Sequence, residues 1–485
     1  MNIQSFRNAE ILTLLFLSAF SFQFSAFSQG SLTPPGAPAP TMKSLDQIEA
    51  RTPISSLPFT ISSSGSYYLT KNLSVTSGNA ITITANGVTF DLNGFTISST
   101  EASPTGNGVL LGSGVQNIRI LNGTIRGSRT YSGGVFTGPG FFNGIAWTGS
   151  TPLNVRVSDM TVSGCAFRGI DLGTDYSSTA VDRCNVRTVG SDGINAGSVN
   201  DCVAYVCGGN GINAITVANS SGRSTASGRG IYTQMAVNCW GDSPGGNGIE
   251  ALTAASNCYG ASTTVVGVQA KIANDCYGGS ASGTGLNANV ATNCHGVSSS
   301  GNGLVATNAQ NCYGSSSGSA FGLYAADTAE NCSGFNASNG NGLYANNASN
   351  CKGQSSGNGN GVSSATAINC YGVSSTGLGL FALQTAQNCY GLGSSSNDGL
   401  RAFTAHNCVG SSSTGIGLNA DGIATGCYGV TNSASNPAVR VVGTAEACLG
   451  KNTGGGEAIH TCIAIGCVTL GGAVTASCSK WLGTP

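Results

Sequence analysis

Charge is what this sequence has least of. Only 8% of its 485 residues are Asp, Glu, Lys or Arg, about a third of the ordinary share, and the formal net charge is −1. No basic face can form to neutralise a phosphate backbone, so nucleic acid is excluded as a partner class. Histidine is scarce too. The three present, His295, His406 and His460, are far apart in the chain and read as solvated single residues. No C-x-x-C pair occurs, which removes the commonest zinc and dithiol signatures. Helical periodicity is absent throughout. Beyond residue 27 no apolar run approaches the ~20 residues of a membrane span, so none is expected in the mature chain.

What is present is glycine and repetition. Glycine fills 74 of 485 positions. Such richness without a period would suggest disorder, but here it recurs at a fixed spacing, the mark of a repeat fold. Cysteines fall at 184, 202, 239, 258, 276, 294 and onward to 448 and 467, eighteen to twenty-one residues apart, with Ser220 filling the one gap. In the twelve repeats from Cys239 to Cys448, the third residue before the Cys is always Ala. The second residue after it is always Gly. The residue immediately before it is Asn in nine repeats, and Asp275, Gly426 and Ala447 in the others. Asn, Asp and Gly tolerate positive φ, which predicts a left-handed corner there. Ala then points in, the variable next residue points out, and the Cys opens a new short strand with its side chain inward. A second inward marker, Gly followed by Leu, Ile or Val, comes nine to eleven residues later, as in Gly303-Leu304.

One such unit cannot bury its apolar side alone; stacking on its neighbours makes it stable. The expected fold is all-β: a right-handed parallel β-helix solenoid with coils of about 19 residues. The variable coil length argues against the left-handed hexapeptide type. The expected organisation is a signal peptide at 1–28, a Pro-rich linker at 29–41, an N-terminal capping segment at 42–79, the β-helix at 80–478 and a tail at 479–485. The leader rests on Arg7, the apolar stretch 11–27 and the small-x-small site Ala26-Phe27-Ser28. A secreted or cell-surface location follows as an expectation. Met160 is expected in the slot that Cys184 fills one coil later.

The stretch KSLDQIEARTPISSLPFTISSSGSYYLTKNLSV, followed by GVTFDLNGFTI, resembles exported bacterial right-handed parallel β-helix repeat proteins of the pectate-lyase-like fold. The resemblance covers residues 44–97, and the rest of the chain is similar only in being β-helical. It implies fold and export rather than an activity.

The cysteine row admits three readings. Zinc or iron–sulfur ligands must converge, whereas a stack spaced ~4.8 Å does not, so neither metal nor other cofactor is expected. Disulfides between adjacent coils fit the ~4.4–6.8 Å Cα range but strain the dihedral of parallel side chains. A small buried hydrophobe filling a narrow core is the third reading and the favoured one. Cys165 and Cys207 lie off the row, two coils apart. The residue after each row cysteine should face out. It is Trp240, Tyr259, Tyr277, Tyr313, Tyr371, Tyr390 or Tyr428 in seven of twelve repeats. These are the candidate carbohydrate-binding residues, a stripe on which sugar rings could stack. The competing reading is cross-strand aromatic packing that stabilises the sheet.

Catalysis needs charge. Lyase chemistry on pectin calls for Ca²⁺-holding carboxylates and a base, and glycoside hydrolysis calls for paired carboxylates. The densest charged group is Arg168, Asp171, Asp175, Asp182, Arg183, Arg187 and Asp192. Within it, Arg168, Asp171, Asp182, Arg183 and Asp192 are the catalytic candidates. Arg168 and Asp192 each precede Gly-Ile in successive coils, so a surface ion pair worth ~0–1 kcal/mol is the competing reading. The expected function is a structural or binding role toward polysaccharide or cell-surface components. The alternative is a polysaccharide lyase or glycoside hydrolase of the pectin-degrading type.

Overall fold

The computed structural model describes residues 50–174 and 178–481, with side chains to residue 477. The expected leader (1–28), the Pro-rich linker (29–41) and Asp175 lie outside the described residues. Within them every regular element is a β-strand. Strands pair in parallel with their counterparts one coil later, building a solenoid of about 22 turns with coils around 19 residues apart. One register runs Leu286, Leu304, Leu323, Leu343 and another Ala291, Ala309, Ala329, Ala348. Among the described strands the one antiparallel pair is a hairpin of Thr130–Ser132 with Val135–Thr137. Arg129 pins it by donating to the Phe136 and Gly138 carbonyls at 2.7 and 3.0 Å.

One coil explains the rest. In Leu304–Gln310, Leu304, Ala306 and Ala309 are buried, while Thr307 and Asn308 are both exposed. Two consecutive outward residues break the two-residue alternation of a strand and bend the chain there. Asn311 follows with φ +54 and turns the chain again. Cys312 is buried, Tyr313 exposed, and Gly314 and Ser316 buried. All the repeat corners from Asn238 to Ala447 have φ between +48 and +63. The one β-carbon-bearing residue there that is neither Asn nor Asp, Ala447, is held at φ +48. Coil stacking therefore imposes the corner, and Asn and Asp merely adopt it at least cost. The same corner row extends N-terminally through Arg183, Asp159, Asn122 and Asn93.

Stacking satisfies the backbone. Asn311 N–H donates to the Glu330 carbonyl and Tyr313 N–H to the Cys294 carbonyl, both at 2.9 Å. Corner amides add a ladder of their own: Asn257 donates to Asn238, and Asn238 to Asn219, at 2.9 and 3.0 Å. Most of the cysteine-bearing coils bury one Leu, Ile or Val, worth ~1.5–3 kcal/mol, beside their Ala, Cys, Gly and Ser.

The cysteines of the row, Cys184 to Cys448, are free and buried, and Cys467 is free and half-buried. Cys294 is typical: its Sγ donates to the Thr292 carbonyl at 3.2 Å and the Ala273 carbonyl of the preceding coil at 3.3 Å. The sulfur fills space and covers two backbone acceptors. Ser220 holds the row's one vacancy, its hydroxyl donating to Ala218. Cys165 and Cys207 stack through Val189, which separates them by two coils. Burial pushes the Cys165 thiol up to about 12 and raises Cys207 as well. Cys462 is disulfide-bonded.

Parallel stacking begins earlier than residue 80. Thr52–Ile54 pairs with Gly65–Leu69, and Phe59–Ile61 with Ile81–Ile83. The described part of the segment read as a cap thus supplies coil strands, because its alternating residues put Ile54, Ile61 and Leu69 into the core. At the other end the last strand, Val474–Trp481, runs into the segment read as a tail.

Candidate functional site

The residue after each corner cysteine lies on a short outward-facing strand, so equivalent residues stack one above another. Trp240, Tyr259, Tyr277, His295 and Tyr313 occupy five successive coils in register. Tyr259 and Tyr277 lie parallel with centroids 5.0 Å apart, and Trp240 continues the stack 6.5 Å from Tyr259. His295 tilts against Tyr277 at 5.0 Å and meets Tyr313 edge-on at 4.6 Å. Read as a lone solvated residue, His295 instead bridges the aromatic row. The signal was its position directly after Cys294. Partial burial lowers its pKa below 6.5 and raises that of Tyr277. Neutral pH therefore leaves His295 and Tyr277 uncharged.

Ser333 ends this row and Lys352 precedes a second one. Tyr371 and Tyr390 stack at 5.2 Å, with the Lys352 ammonium 5.9 Å from the Tyr371 centroid. Tyr428 stands apart between Val409 and Leu449. Beside the first row runs an open groove of about 640 Å³. One wall is Trp240, Tyr259 and Tyr277; the other is the corner row from Asp201 through Asn219, Asn238 and Asn257 to Asp275.

The charged candidates divide into two groups. Arg168 contacts Asp171 at 2.7 Å and Asp192 at 3.6 Å, bringing these three together. Asp182 instead pairs with Arg156 at 3.5 Å, and Arg183 grips Asp159 through both of its forks at 2.8 and 2.9 Å. The two groups lie on different strand rows: Asp171 stacks beside Asn195, and Asp182 beside Ser158 and Asn200. Each carboxylate among them is held by a guanidinium, an arrangement that orders the surface. Among the described residues no group of three or more His, Cys, Asp or Glu side chains could hold a metal ion. No described helix is long and apolar enough to cross a membrane.

No family model, curated protein or solved structure matches this chain.

Three segments spell Gly-x-Ser-x-Gly, at 241–245, 314–318 and 353–357, the spelling of a hydrolase nucleophile turn. Their central serines face inward. Ser316 donates to the Gly301 carbonyl at 2.7 Å and Ser355 to the Gly340 carbonyl at 2.9 Å, and both are buried. They belong to a ladder of inward serines that holds the loops to the coil. Ser298 shows its pattern: it donates to Gly283 at 2.6 Å and accepts from Gly301 N–H at 2.8 Å. Ser374 does the same with Gly359 and Gly377. Asn336, Thr431 and Asn452 stand in for serine elsewhere. The clue was a serine four residues after most row cysteines, hidden among the other serines of the loops.

Proposed function

We propose that this protein is an exported, right-handed β-helix of the pectate-lyase-like kind that binds polysaccharide or another extended surface component without cleaving it. The observation that carries the reading is the outward aromatic row, Trp240 to Tyr313, standing along a groove with amide and carboxylate side chains on its far wall. Aromatic faces and polar neighbours are the pairing that sugar rings need: apolar C–H faces on one side, hydroxyls on the other. Export is supported by the leader-like residues 1–28 and by the resemblance of residues 44–97 to exported β-helix proteins. The engagement of Asp171, Asp182 and Asp192 by arginines favours binding over lysis.

A glycan array probed with the folded chain tests the proposal, together with an assay for new reducing ends and unsaturated uronate products on pectin with added Ca²⁺. Retention of one or more polysaccharides without product is the expected result. Product formation would overturn the non-catalytic reading, and absence of any glycan ligand would overturn the binding one.

A further inference from the structure

The aromatic row limits where a sugar can stack. Tyr259 and Tyr277 are parallel at 5.0 Å, so each covers one face of the other. Tyr277 and Tyr313 both pack against His295. Inside the row Tyr259, Tyr277 and His295 each have an aromatic neighbour on both sides. A bare face requires a coil where the neighbouring outward residue is small.

Trp240 meets that requirement. Its in-register neighbour one coil earlier is Ser221, and beyond that Val203. Trp240 is 37% exposed against 42% for Tyr259, so the small neighbour rather than the exposure sets it apart. The groove opens at this step, with Val203 and Ser221 as part of its lining. Its volume of about 640 Å³ is in the ~300–1,000 Å³ range of small-ligand sites. Across from the indole stand the Asn219 and Asn238 amides. Asn238 Nδ2 donates one N–H to Asn219 Oδ1 at 3.0 Å and keeps a second. The charged residues that line the groove are Asp201 and Asp275, and no Lys, Arg or His is among the lining.

We infer that the Trp240 end of this groove is a subsite for one neutral pyranose of an extended glycan, stacked on the indole face and hydrogen-bonded to the corner amides. This rests on the glycan-binding reading above and narrows it. The lining holds two carboxylates and no cation of its own, and the guanidinium of Arg183 near Asp201 is held by Asp159. The two carboxylates accept hydrogen bonds from hydroxyls but repel a uronate, so an acidic polymer such as pectin is the wrong ligand for this site. The interruption of the row at Ser221 is then what creates the site, since it uncovers the ring face that a longer aromatic row would hide.

The test uses the full chain and a set of neutral hexasaccharides of glucose, mannose, xylose and galactose, with hexagalacturonate as the acidic probe. Binding is read by tryptophan emission and by calorimetry, and circular dichroism melting confirms that each variant is folded. One or more of the neutral hexasaccharides is expected to bind and shift the emission. Trp240→Ala should weaken that binding by roughly tenfold or more, Trp240→Phe should retain most of it, and Phe403→Ala, at an exposed ring outside both aromatic rows, should change nothing. Hexagalacturonate should bind more weakly, with the gap narrowing as salt screens Asp201 and Asp275. Tightest binding by hexagalacturonate would overturn the inference. Binding kept in Trp240→Ala but lost in Tyr371→Ala would overturn this site while leaving glycan binding standing. No binding by any hexasaccharide would overturn both.

Discussion

The two ends of the solenoid fill their interiors in opposite ways. The two buried phenylalanines, Phe90 and Phe141, both lie in the N-terminal coils, where Ile81, Ile83, Val88, Leu92 and Ile97 also crowd into the interior. Coils there are long: Val109 pairs with Ile145, thirty-six residues on. From about residue 200 onward the inward residues are chiefly Ala, Cys, Gly and Ser, with one Leu, Ile or Val in most coils, and Leu286 pairs with Leu304 only eighteen residues on. A wide coil needs large side chains to fill it. A narrow coil brings its own backbone so close that a Cβ on Gly353 would run into the Gly361 carbonyl. Apolar burial dominates the first region. The second substitutes in-line hydrogen bonds from Ser, Asn and Cys for the area it does not bury.

That contrast makes ordered predictions for stability measured by urea or thermal unfolding. Phe90→Ala should cost most, about 3–5 kcal/mol, because it opens a cavity among large neighbours. If it cost no more than a repeat substitution, the wide end would not depend on apolar filling. Gly353→Ala should follow at about 1–3 kcal/mol or more, since the backbone rather than a side chain must give way. Ser374→Ala strands the Gly377 N–H and the Gly359 carbonyl inside the solenoid, a cost of about 1–3 kcal/mol, and Ser374→Thr should recover much of it as Thr431 does naturally. Equal stability of Ser374→Ala and wild type would show that the ladder is incidental.

Cysteine effects should be smallest. Cys351→Ala removes one buried sulfur and should cost about 1 kcal/mol or less, whereas a thiol ladder with a redox role would show itself in oxidation-dependent melting. Row thiols should resist alkylation until the chain is unfolded. The wide end also carries a pH signature. Cys165 sits near 9.0 when exposed and is pushed up to about 12 by burial, so the fold favours its neutral form. Its contribution is full below pH 9 and is lost as pH climbs toward 12, and Cys165→Ala should flatten that alkaline decline.

Much of the repeat was legible. The Ala-x-Asn-Cys-x-Gly phrase disclosed the corner, the inward cysteine and the outward residue because each follows from local sterics repeated twelve times. The ion pair of Arg168 with Asp192 followed from the same alignment. The serine ladder was not legible. Ser374 and Ser375 are identical letters in one loop, yet one is buried and bonded across coils and the other is exposed. The charged cluster also read as one group but folded as two, since residues close in the chain turn onto different strand rows at the bends.

By itself the sequence determined the period, the all-β solenoid, the left-handed corners and which side of each strand faces in. Those depend on residue-level preferences for φ, size and polarity, and repetition makes them unmistakable. Only the tertiary structure decided that His295 completes an aromatic row, that an inner rail of serines holds the loops, and that the face of Trp240 lies bare above Ser221. These depend on which residue lies over which in the next coil. Coil lengths vary from repeat to repeat, so that register is settled only when the strands pair.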